Sequence, residues 1–146
     1  MEEKIPLQLA IVYLFRSHTS YLRKTLKNTG ITIGQFPVVV ETHKHETISQ
    51  KELADILFLS EGTISKTIKQ LEDKGIIEHE VNPENRRQNK ISLTEKGSEI
   101  AEKVKYTEID WEKKVIEEIP PEELGNFFDN LEKITNKAVD YSLKEE

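Results

Sequence analysis

The sequence predicts a mainly α protein that carries one small β-hairpin. Three observations support this. Apolar residues recur at helical spacing through most of the chain. The period changes once, near Ile76–Val81 and Lys90–Leu93, to short extended runs on either side of a turn. Capping or breaking residues bound each helical stretch.

The elements follow in order. Residues 5–27 place Leu7, Ala10, Ile11, Leu14 and Phe15 on one stripe, which Leu22 and Leu26 continue; Asn28-Thr29-Gly30 ends that helix. Thr32 is a cap for a second helix, with Phe36, Val39 and Val40 on its buried side. Ser49-Gln50-Lys51-Glu52 has the form of a capping box and opens a third helix, with Leu53, Ile56 and Leu57 as its apolar face. Ser60 opens a fourth, in which Ile64, Ile68 and Leu71 form one inward stripe. Gly75 stops it. Ile76–Val81 reads as a strand, Asn82-Pro83-Glu84-Asn85 as a turn and Lys90–Leu93 as the returning strand, with Arg86 and Arg87 at or just after the tip. Thr94 caps a fifth helix expected to run to about Ile119. Pro120-Pro121 breaks it, and Pro121 sits in the first turn of a sixth. Helix, helix and hairpin in that order over Ile48–Thr94 make a winged helix-turn-helix.

Composition sets bounds on function. The chain has 146 residues, enough for one ordinary domain. Charged residues make up 33%, which suits a helical protein with long solvated faces or a core completed by a second copy. There is no cysteine, so disulfides, thiolate metal sites and thiol redox sensing are excluded. The N-terminal apolar run is too short and interrupted for a signal peptide or membrane span, so a soluble, cytoplasmic protein is expected. Net charge is −6, but it is uneven: +3 over residues 1–30, −2 over 31–93 and −7 over 94–146. The acid gathers away from the helix-turn-helix, and an acidic protein still binds DNA if its cations sit at phosphates.

Turning Ile64, Ile68 and Leu71 inward puts Gly62, Lys66, Lys69 and Asp73 outward, flanked by Thr63, Ser65 and Gln70. Small polar groups and lysines near a helix N-terminus suit a major groove. The positive end of the helix beside Ser60 suits a phosphate. Arg86 and Arg87 on a protruding hairpin suit the adjacent minor groove or its phosphates. The candidate DNA-contacting set is Ser49, Gln50, Ser60, Thr63, Ser65, Lys66, Lys69, Gln70, Arg86 and Arg87.

The stretches SQKELADILFLSEGTISKTIKQLEDKGIIEHE and NPENRRQNKISLTEKG, with one long helix before and two after, resemble the MarR family of multiple antibiotic resistance regulators. The resemblance covers nearly the whole chain. It implies one domain over 1–146, with a winged helix at 32–94 and dimerisation helices at 1–31 and 95–146. It also implies a homodimer on a pseudo-palindromic operator, usually a repressor released by a small ligand. The family's wing usually reads Asp-Pro-x-Asp-Arg-Arg. Here Asn82 and Asn85 stand at the acidic positions, and Asn85 offers an arginine only a weaker hydrogen bond than an acid would. The dimer has a second basis. Trp111, Phe127 and Phe128 are more apolar bulk than a three-helix arm buries alone, and a two-fold dimer presents two readers about one DNA turn apart.

The same resemblance suggests an aromatic acid as effector. A carboxylate needs a cation beside apolar surface. Arg16, next to Phe15 and near His18, is the first candidate, and Arg23 the second. Glu41, His43 and His45 cluster but lack a full zinc ligand set, so no metal and no cofactor are expected. No phosphate loop, nucleophile elbow or paired-histidine metal helix is present, which argues against an enzyme.

Overall fold

A computed structural model describes residues 3–85 and 88–144. They form α1 (Leu7–Leu26), α2 (Phe36–His45), β1 (Ile48–Ser49), α3 (Gln50–Leu57), α4 (Glu61–Asp73), β2 (Ile77–Glu80), β3 (Lys90–Leu93), α5 (Glu95–Val115) and α6 (Pro121–Ser142). The chain divides into two compact units, Met1–Trp111 and Glu112–Glu146.

The first unit holds the core. Leu22 and Leu26 of α1, Val38 and Val39 of α2, Leu53 of α3, and Ile64, Ile68 and Leu71 of α4 pack with Ile76, Ile77 and Ile91 of the sheet and Ile100, Ala101 and Val104 of α5. The sheet is antiparallel with order β1-β3-β2, Ile48 facing Ile91, and Ile77 facing Leu93. The two-residue β1 is too short to announce itself by alternation, and it adds an edge to the expected hairpin.

Caps set the helix ends much as the residues predict. Ser49 accepts from the Glu52 N–H while the Glu52 carboxylate accepts from the Ser49 N–H, a complete capping box. Ser60 accepts from the Thr63 N–H at 3.1 Å. α4 ends in a Schellman motif: Ile76 N–H donates to Leu71 O and Gly75 N–H to Glu72 O, both at 2.9 Å, with Gly75 at φ 72°. Thr94 accepts from the Gly97 N–H and opens α5.

Two boundaries differ from expectation. α2 starts at Phe36, after a turn in which Thr32 O accepts from the Gln35 and Phe36 N–H groups. Pro37 has no N–H and belongs in a first turn, which fixes the later start. α5 ends at Val115, short of Ile119. Glu117 and Glu118 oppose the helix dipole there, and Ile119 precedes a proline, which disfavours helical backbone.

The two ends of α1 behave differently. Leu22 and Leu26 are buried, whereas Leu7, Ile11, Leu14 and Phe15 are more than half exposed. In the second unit α6 has no buried residue, and Phe127, Phe128, Leu131 and Ile134 are exposed. The rings of Phe127 and Phe128 meet edge to face at 5.2 Å. No helix among the described residues is long and apolar enough to cross a membrane.

Candidate nucleic-acid interface

α4 is held from one side and open on the other. Ile64 and Leu71 are fully buried and Ile68 nearly so, which turns Gly62, Lys66, Lys69 and Asp73 to solvent. Ser65, Lys66 and Lys69 are exposed and make no side-chain hydrogen bond or ion pair with a described residue. Asp73, on the same face, is exposed and uncommitted too. Thr63 is exposed too, but its hydroxyl lies 2.8 Å from that of Ser60, so the two form one unit at the helix start.

The remaining candidates do different work. Ser49 is engaged in its capping box. Gln50 donates its side-chain amide to Glu61 O at 3.4 Å and bridges α3 to the first turn of α4. Gln70 accepts from Gln35 Nε2 at 3.0 Å and so leans toward the start of α2. Gln35 is buried and also accepts from Thr32 N–H and Lys74 Nζ. Gln35 and Lys74 thus fix the flank of α4. Their partners lie 35 and 39 residues away, so no local pattern reveals them.

Arg86 and Arg87 lie outside the described residues. Asparagines build the base of the wing. Asn82 Oδ1 accepts from the Glu84 and Asn85 N–H groups, an Asx turn. Asn82 Nδ2 donates to Gln88 at 3.1 Å, which an aspartate in that place cannot do. Buried Asn89 accepts the Asn82 N–H at 2.8 Å with its side chain and the Gln50 N–H at 3.2 Å with its carbonyl. The wing is therefore tied to the start of α3 without the family's acids. Between α4 and the wing runs a cleft of about 410 Å³ bordered by Gln50, Ser65, Lys69, Glu72, His79 and Asn89. His79 Nδ1 lies 2.7 Å from Glu72 Oε2, close enough for an ion pair but not aligned as a hydrogen bond.

A sequence model of the MarR family matches residues 29–88, from the turn before α2 to the wing. The crystal structure of a MarR protein is 30% identical, with 97% of this chain and 96% of that chain covered and a TM-score of 0.78. The chain belongs to the MarR family. The organic hydroperoxide resistance transcriptional regulator of Bacillus subtilis is 32% identical over 88 residues, 60% of either chain. A MarR family regulator from Listeria monocytogenes, solved with a 26mer DNA, is 25% identical, with 94% of this chain and 91% of that chain covered and a TM-score of 0.81. This MarR-type chain is accordingly a transcriptional regulator and not an enzyme.

The effector candidates do not converge on one point. Phe15 and Arg16 are exposed on α1. His18 is half-buried, with Nε2 at 2.7 and 2.8 Å from the two Glu108 oxygens and its ring against Trp111 and Phe36. Arg23 lines a separate groove near the end of α1. Of the other histidines, His43 bonds Glu102 at 2.7 Å, while Glu41 pairs with Lys44 at 3.0 Å and lies 3.7 Å from His45.

Glu52, in the capping box of α3, has a displaced acidity. The Ser49 backbone N–H, and after it the Ser49 hydroxyl, hold its carboxyl below the usual value.

Proposed function

We propose that this MarR family member is a sequence-specific regulator that binds a pseudo-palindromic operator as a homodimer. The observation that supports it best is the outward face of α4, where Ser65, Lys66 and Lys69 are exposed and uncommitted while Ser60 and Gln50 hold the helix start. Hydroxyls and amides on such a face reach base edges, and lysines reach phosphates. The wing is tied to α3 through Asn89, and its sequence carries Arg86 and Arg87, residue types that suit a neighbouring groove. The 26mer DNA solved with the Listeria relative supports DNA binding.

Unpartnered apolar surface supports the homodimer. The N-terminal half of α1 and the whole of α6 expose large side chains that water penalises and a second copy would cover. Residues 1–31 and 95–146 then serve dimerisation and 32–94 serve DNA. Repression released by a small aromatic acid completes the proposal, with the exposed Arg16 of α1 as the cation that would meet its carboxylate. Release by thiol oxidation is not open to a chain without cysteine.

Fluorescence anisotropy on the DNA upstream of its own gene, over a series of salt concentrations, tests the DNA reading. Binding that weakens steeply with salt is expected. No binding at low salt by a folded protein overturns it. For the effector, salicylate should raise the melting temperature and weaken DNA binding, and Arg16→Ala should abolish both responses.

A further inference from the structure

Three cations on the last turns of α1, Arg23, Lys24 and Lys27, form one wall of an open groove of about 620 Å³. The opposite side is the turn through Ile31, Thr32 and Gly34. All three cations are exposed, and none has a carboxylate within ion-pair distance among the described residues. In a chain with 27 acidic and 21 basic side chains, that is an unbalanced spot. Such a surface attracts an anionic partner.

The groove is continuous with the flank of the reading helix. Lys74, just past the end of α4, donates through Nζ to Gly30 O at 2.5 Å and to Gln35 Oε1 at 3.0 Å. Gln35 in turn donates to Gln70, one helical turn beyond Lys66. Hydrogen bonds thus link Gln70 of α4, through Gln35 and Lys74, to the turn that faces Arg23, Lys24 and Lys27 across the groove. We infer that Arg23, Lys24 and Lys27 contact the DNA phosphate backbone beside the groove that α4 reads, beyond the base pairs it specifies.

The spacing favours a polyanion over a small acid. Residues one helical turn apart, such as Arg23 and Lys27, have Cβ atoms about 5–6 Å from each other. Each DNA strand carries one negative charge per about 3.4 Å of axis. Long flexible side chains so placed can each reach a separate phosphate, whereas a single carboxylate carries one negative charge for three cations.

This rests on the DNA reading above, so the test separates the two. The probes are two duplexes of a selected operator, one trimmed to the half-sites and one extended by about six base pairs at each end. The proteins are the wild type, the triple variant R23Q/K24Q/K27Q and a charge-retaining variant K24R/K27R. Thermal melting checks that all three fold. The wild type and K24R/K27R should bind the long duplex at least ~10-fold tighter than the short one, and the triple variant should lose that gain. On the long duplex its salt slope should fall by about 0.9 for each phosphate contact removed. If the wild type binds and the triple variant matches it on both duplexes, the groove is not a phosphate contact. If the triple variant loses only a salicylate-induced rise in melting temperature, the groove belongs to a small acid and the inference fails. If the wild type binds neither duplex, the DNA reading fails and takes this inference with it.

Discussion

Alanine in place of glycine usually steadies a helix by about 1 kcal/mol. At Gly97 in the first turns of α5 the opposite is predicted. A Cβ built there would lie 2.2 Å from Ile76 O, and real Cβ atoms essentially never come closer than 3.0 Å. At least 0.8 Å of separation is missing. The oxygen is not free to move, because it accepts from the Thr94 N–H at 3.0 Å and lies 3.2 Å from the Thr94 hydroxyl. Ile76 itself is fully buried and closes the Schellman motif of α4. Overpacking costs about 1–3 kcal/mol, and a clash with main chain on two tethers belongs at the upper end. After the propensity gain, Gly97→Ala should destabilise by about 2 kcal/mol. For a chain of this size that is a melting midpoint lower by about 4–8 °C. Circular dichroism melting at fixed protein concentration measures it. Gly62→Ala is the control: its Cβ meets only the Ser60 hydroxyl at 4.0 Å, so its midpoint should hold or rise. A Gly97→Ala midpoint equal to or above wild type would refute the close approach of α5 to the strand start.

Ser60→Ala removes the acceptor of the Thr63 N–H and should cost about 1 kcal/mol, with Ser60→Asp restoring most of it in the same melt. Lys66→Ala and Lys69→Ala should each weaken binding evenly across DNA sequences and lower the salt slope by about 0.9, read by anisotropy. Glu52 is held below its ordinary value of 4.5, so its contribution is present above that pH and is lost as pH falls through the lower folded value. The acid-side decline in melting midpoint should therefore be shallower in Glu52→Gln. Ile11→Glu on α1 and Phe128→Glu on α6 should each shift the protein toward monomer in sedimentation, since both side chains are exposed apolar groups on the proposed interface.

The stripe of Ile64, Ile68 and Leu71 was legible because a helix buries every third or fourth residue whatever it packs against. The same holds for the caps at Ser49, Ser60 and Thr94, where the bond partners lie three residues away. Local chemistry therefore suffices to set which face of α4 turns outward. What stayed hidden depends on distant partners. β1 exists only because Ile48 faces Ile91, and the Gln35–Gln70–Lys74 link joins three segments. His18 meets Glu108 across 90 residues, a tie between α1 and α5 that no local pattern reveals. The substitution of the wing's acids suggested weaker bonding at Asn85. The structure shows Asn82 building the turn by accepting two N–H groups and donating to Gln88, a role sequence spacing alone did not suggest.

The central claim is that α4 reads DNA in two copies related by a two-fold axis. Selection of bound duplexes from a random pool tests this most directly. Two inverted half-sites are predicted, centred about 10–10.5 base pairs, one DNA turn, apart, and the enrichment should vanish when Ser65, Lys66 and Lys69 are replaced by alanine together. A pool left unenriched by a protein that melts cooperatively, or an enriched single site without symmetry, would contradict it.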